Sequence, residues 1–132
     1  MRHKPCLQSS DVHRMAAACR AEAEKRKWNV TVAIVDDAGV LLYLDRMDGA
    51  ASTTAEVATL KAKTSAITRR PSKFWEDRIK ERPAFMNFPG VLQIQGALPI
   101  MYEGECVGAI GVSGVQSHED EEIARVGIEA LG

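Results

Sequence analysis

The chain has 132 residues, 45% of them hydrophobic, enough for one compact domain with a real core. Its 17 basic and 18 acidic side chains leave a formal net charge of −1, so no basic surplus marks it for nucleic acid. No apolar run reaches the length of a membrane span, and no apolar stretch follows Arg2-His3-Lys4, so neither a membrane partner nor a secretory leader is expected.

Residues 1–8 read as a loose arm. A helix should begin near Ser10 or Asp11, either of which can accept a free backbone N–H. Val12, Met15, Ala16, Cys19 and Ala23 recur at helical spacing, and the helix should end near Lys27. Val30–Val35 is almost wholly apolar, so as a strand it needs cover on both faces. Asp36-Asp37-Ala38-Gly39 supplies turn chemistry, and Val40–Met47 returns as the second strand of a hairpin closed by Asp48-Gly49.

A second helix is predicted from about Ser52 to Thr68, with Thr53 and Glu56 as a capping box. Ala55, Ala58, Ala62, Ser65 and Ala66 give it a stripe of small side chains, which allows close approach to a sheet or a second subunit. Arg70-Pro71 stops it, because a residue before proline avoids the helical region. Ser72–Glu81 reads as a short helix with Phe74, Trp75 and Ile79 as its apolar side. Arg82–Gly90 reads as a loop, and Val91–Gln95 as a short strand. Pro99 belongs at a strand start or on an edge. Ile100–Tyr102 and Cys106–Ser113 form a second hairpin around Glu103-Gly104-Glu105. Ser117 with Asp120 can cap a last helix whose apolar side is Ile123, Val126, Ala130 and Leu131. Hairpins alternating with helices imply an antiparallel sheet with helices packed on it, an α/β fold.

The chemistry-bearing residues are few. Cys6, Cys19 and Cys106 are odd in number and widely spaced, which suits reduced thiols in a cytoplasm. Gly108, Gly111 and Gly114 follow G-x-x-G-x-x-G, which matches neither dinucleotide nor phosphate-loop spacing; glycine in a strand more often marks close approach by another backbone. Arg46 and Asp48 end a strand two residues apart. The arginine can hold a ligand carboxylate by paired bonds, or Asp48 can occupy it instead. Lys61, Ser65 and Thr68 share one helix side and could present a cation and hydroxyls to an anion; by residue type alone, a solvated lysine is the commoner case. His3, His13 and His118 form no metal motif, so no metal is expected. Trp75, Phe85 and Phe88 read as core or interface ahead of a pocket wall. No catalytic signature stands out.

Three segments, read together, say more. They are V-T-V-A-I-V-D-D-A-G-V-L-L-Y-L-D-R-M-D-G at 30–49, K-A-K-T-S at 61–65, and G-E-C-V-G-A-I-G-V-S-G at 104–114. Together they resemble the GlcG/HbpS-like family, also called the haem-degrading domain family. The resemblance runs from about Leu7 to Leu131. It implies a profilin-like sandwich of about five antiparallel strands flanked by helices. It also implies a closed homo-oligomer, a dimer or larger up to an octamer. It raises Lys61 as a site residue, and its motifs place Gly96, Pro99 and Gly114 beside Arg46, Asp48 and Lys61 as the ligand-binding set. The family's G-G-x-P-I segment is here Gln95-Gly96-Ala97-Leu98-Pro99-Ile100, so one glycine is replaced by a bulkier residue.

The reading is a cytoplasmic, homo-oligomeric small-molecule-binding protein, with haem as the candidate cofactor or a small carboxylate as ligand. Since no histidine is set as an axial ligand, weak haem binding at most is expected. The alternatives are a metal-independent lyase or isomerase acting on a small aromatic or hydroxy-carboxylate, and an accessory module of a metabolic enzyme complex.

Overall fold

Eight regular elements organise the computed structural model, which describes residues 1–132. They are α1 (Ser9–Arg26), β1 (Thr31–Asp36), β2 (Leu41–Arg46), α2 (Thr54–Thr68), α3 (Ser72–Glu81), β3 (Ala97–Tyr102), β4 (Glu105–Ser113) and α4 (Ser117–Glu129). A short 3₁₀ turn, Pro83–Asn87, follows α3. Residues 1–8 carry no regular structure, but Leu7 packs against the core and the Lys4 ammonium lies 2.8 Å from the Asp37 carboxylate.

The strands form one antiparallel sheet in the order β2-β1-β4-β3. It has four strands, not about five. The segment Val91–Gln95 does not become a strand, because helix side chains take its amides: Leu92 N–H donates to Thr64 Oγ1 (2.8 Å) and Gln95 N–H to Glu76 Oε1 (3.2 Å). Pro99 sits on the edge strand β3, opposite Ala109, where the missing N–H costs no interior ladder bond.

Period-two alternation sends the two faces of the sheet to different partners. Val32, Ile34, Ile110 and Val112 join Met15, Cys19 and Ile123 in the main core between the sheet and α1 with α4. Ala33, Val35 and Ala109 face Ala58, Ala62 and Ala66 of α2. These small residues bring helix and sheet backbones together, and Gly111 is where they nearly touch. A methyl group there would collide with the Ala58 carbonyl and stand 2.6 Å from the Ala62 nitrogen. Gly111→Ala must push α2 off the sheet. A loss of at least the 1–3 kcal/mol usual for an overpacked core is expected, read as a lower urea midpoint.

The helix caps differ from the sequence reading. Gln8 and Asp11 cap α1 reciprocally, and Gln116 with Glu119 does the same for α4. Thr53 makes no side-chain cap bond on α2, and Thr54 instead joins its hydroxyl to Thr31 Oγ1 (2.7 Å) beneath the sheet. Asp120, read as a cap partner of Ser117, is turned inward and buried. Gln8 and Gln116 each stand just ahead of the first helical residue with an acid three positions on; Ser117 has the same spacing to Asp120, but that carboxylate is committed to Lys61 and the Val115 N–H.

Candidate functional site

Arg46 ends β2 opposite Thr31, whose side chain faces α2, so Arg46 lies on the α2 side of the sheet. It is exposed, and it makes no hydrogen bond or ion pair, to Asp48 or to any other residue. Asp48 is exposed in the turn that follows. Leu41 and Leu44 pair with Val35 and Ala33 and therefore share Arg46's side. Because α2 packs mainly on β1 and β4, it covers this side of β2 only in part. Leu41 and Leu44 are each 43% exposed. β2 thus presents a partly covered apolar strip with a free guanidinium at one end, on an edge whose outer backbone groups pair with nothing in the chain.

Lys61 lies elsewhere in the same layer. It is 3% exposed, and its ammonium donates to the Val112 carbonyl (3.1 Å) and to Asp120 Oδ2 (3.2 Å). Asp120 Oδ1 accepts the Val115 N–H at 3.1 Å. One charge pair therefore ties α2 to the end of β4 and the first turn of α4. Gly96 is the floor of this pair: a Cβ there would stand 2.7 Å from the Lys61 nitrogen and 2.9 Å from the Val112 oxygen. Gly114 serves backbone contact, since its Cβ would stand 2.8 Å from the Val30 Cα. Of the six residues read as a ligand set, the fold brings Lys61 and Gly96 into contact. Arg46 stands on β2, with β1 between it and the β4 carbonyl that Lys61 holds, roughly 10 Å across two strand spacings. Asp120 was the residue missed. Nothing local in the sequence marks it, because its partner is 59 residues away.

Burial pushes the Asp120 carboxyl above its ordinary value, and Lys61 and the Val115 N–H only partly offset this. The folded state therefore keeps this proton at pH values where the unfolded chain has lost it. Its stabilising contribution is complete below the ordinary value of 3.8 and is lost as pH rises through the raised value. Asp120→Asn should remove that decline. Urea midpoints measured from pH 3.5 upward should converge or cross between the two proteins, and parallel curves would show that Asp120 titrates normally.

The remaining candidates have structural partners. Burial raises the Cys19 thiol to about 12, which makes it unreactive. Cys106 is buried and Cys6 exposed. Trp75 packs edge-to-face on Phe74, Phe85 and Phe88 at 5.1–5.8 Å between ring centres, so these rings fill their own space. They line neither of the two cavities. One cavity, of about 320 Å³, lies beneath residues 5–8; the other, about 150 Å³, is bordered by His13, Val12 and Leu42. No three histidine, cysteine or acidic side chains converge as a metal site, and no helix is long and apolar enough to cross a membrane.

A four-stranded antiparallel sheet, with a close-packed alanine helix on one face and two helices on the other, defines a class of small α/β sandwich proteins with solved members. A double mutant of Streptomyces reticuli HbpS matches it at a TM-score of 0.94 and 32% identity, over 100% of this chain and 91% of that one. The structure described as a PduOC:heme complex matches at 0.89 and 25% identity, over 96% and 95%. The chain belongs to the family described as "Haem degrading protein HbpS-like", which matches residues 7–129. Protein GlcG of Escherichia coli is 37% identical over 114 residues, covering 86% of this chain and 85% of GlcG.

Proposed function

We propose that this protein is a cytoplasmic, homo-oligomeric small-molecule-binding protein that holds a small carboxylate with Arg46, at the partly covered side of β2 where copies of the chain meet. The observation that carries this is the apolar strip of Leu41 and Leu44 ending in an unpaired guanidinium. Leucines at an open sheet edge favour cover by a second chain. Cover by a partner would dry the guanidinium's surroundings and strengthen a paired bond to a carboxylate. Of the other residues in the proposed set, Asp48 follows Arg46 in the exposed turn; Lys61 and Gly96 meet at the end of β4, Gly114 packs on Val30, and Pro99 lies on the opposite edge strand.

Haem is the ligand named for the PduOC relative. The residues of one chain do not fit an enclosed haem here. The only imidazole beside a cavity is that of His13, and at about 150 Å³ that cavity is smaller than ordinary small-ligand sites. His118 is exposed at the start of α4.

The test is Arg46→Lys, titrated with lactate and benzoate as probes, alongside thermal melting of the same samples. A single ammonium cannot reproduce the paired donors, so affinity should fall by roughly 1.5–3 kcal/mol while the melting temperature holds. Unchanged affinity for both probes sinks the carboxylate reading. Hemin titration should give no sharp, stoichiometric Soret shift. A tight complex lost in His13→Ala would replace the carboxylate with haem.

A further inference from the structure

The larger cavity lies outside the site just described. Its roof is the irregular segment ahead of α1, held down at Lys4 by Asp37 and at Arg2 by Glu105. Pro5, Leu7, Val107 and Leu131 supply its apolar wall, and at about 320 Å³ it reaches the range of small-molecule sites. Arg14, whose side chain is 51% exposed, and Tyr102, 44% exposed, carry unpartnered polar groups at its open side. Asp11, the other charged group of the lining, is already engaged. The Gln8 N–H donates to Asp11 Oδ2, and Asp11 Oδ1 accepts from Arg14 Nη2 at 3.1 Å. Arg14 Nε is bound to the Ala130 carbonyl (3.1 Å), and Nη2 also reaches the Leu131 carbonyl (3.5 Å). These bonds fix the plane of the guanidinium. Nη1 and the Tyr102 hydroxyl have no partner in the protein.

We propose that this cavity binds a small molecule with an apolar body and one oxygen-bearing, hydrogen-bond-accepting end, a carboxylate or a neutral carbonyl. A guanidinium nitrogen only donates and carries a positive charge, so an ammonium end is disfavoured beside Nη1 even though the Tyr102 hydroxyl can accept. The Asp11 charge beside Arg14 offsets part of the positive field, which is why a neutral carbonyl is admitted with the carboxylate. The fixed guanidinium loses little freedom on binding, which favours affinity.

The experiment is an amide-resolved NMR titration of the intact protein with benzoate, benzamide and benzylamine. Saturable shifts at Leu7, Arg14, Tyr102 and Leu131 are expected with benzoate and benzamide, and markedly weaker ones with benzylamine. Leu131→Trp, at a partly buried position near the chain end, should fill the cavity and abolish the shifts. Arg14→Met should weaken binding about tenfold or more. Spectral dispersion shows that each variant is folded. The site is overturned by absence of saturable shifts in the unaltered protein, by shifts that survive Leu131→Trp, or by equal shifts with benzylamine. Shifts confined to Leu44, Arg46 and Thr31 would also overturn it while supporting the β2 site, so the two failures are distinguishable.

Discussion

Leu41→Glu with Leu44→Glu should turn an oligomer into a monomer at micromolar concentration, seen by sedimentation velocity, with the fold intact by circular dichroism. Each leucine is 43% exposed in the isolated chain, so covering the remainder contributes about 1 kcal/mol. A two-fold contact uses each position twice, so four leucines give about 4 kcal/mol, or roughly a thousandfold in dissociation constant. Glutamates facing one another across the axis add repulsion. Neither leucine is part of the main core, so the folded chain should survive. A protein that is monomeric before any substitution would end the oligomer proposal. An unchanged oligomer in the double variant would move the interface away from β2.

The second large effect belongs to Lys61→Met. Removing one member of a buried ion pair strands the other, at a cost of about 3–5 kcal/mol. Asp120 would keep one bond, from the Val115 N–H, and lose its only opposite charge. The loss should shrink toward acid pH, because burial already favours the protonated carboxyl. Adding Asp120→Leu should recover much of it, since an apolar pair leaves no charge without a partner. Chemical unfolding of the two single variants and the double variant gives the coupling directly. Additive losses would show that the pair is not a unit. A strong coupling with unchanged affinity for lactate and benzoate would assign Lys61 to the framework and leave Arg46 as the ligand-facing cation.

Some of this was open to reading from neighbouring residues. The alanine stripe of α2 foretold a helix lying close on a sheet, and Gly111 meets that helix's backbone. Pro99 marked an edge, and β3 is one. Of Ser10 and Asp11, the candidates near the start of α1, Asp11 does accept a backbone N–H, but as the partner of Gln8, because several polar residues in a row can all serve and only backbone geometry chooses. Val91–Gln95 has a strand's composition, yet Thr64 and Glu76, which take its amides, come from two different helices. Arg46, Asp48 and Lys61 were grouped because motifs from separate segments pointed to them. The fold puts β1 between Arg46 and the Lys61 bonds.

By itself the sequence determined the four helices, the two hairpins and their order, because turns, helical spacing and strand alternation are set within a few residues, and its motifs carried the family resemblance. Only the tertiary structure decided what each charge does. Lys61, which the family resemblance raises as a site residue and residue type alone leaves in solvent, is buried against Asp120, while Arg46, for which Asp48 is one candidate partner, stands free on an edge strand. The cavity beneath Leu7 is likewise a tertiary product, made where both chain ends meet the β3–β4 hairpin. Burial and charge partners depend on which distant segments pack together, and no local periodicity carries that information.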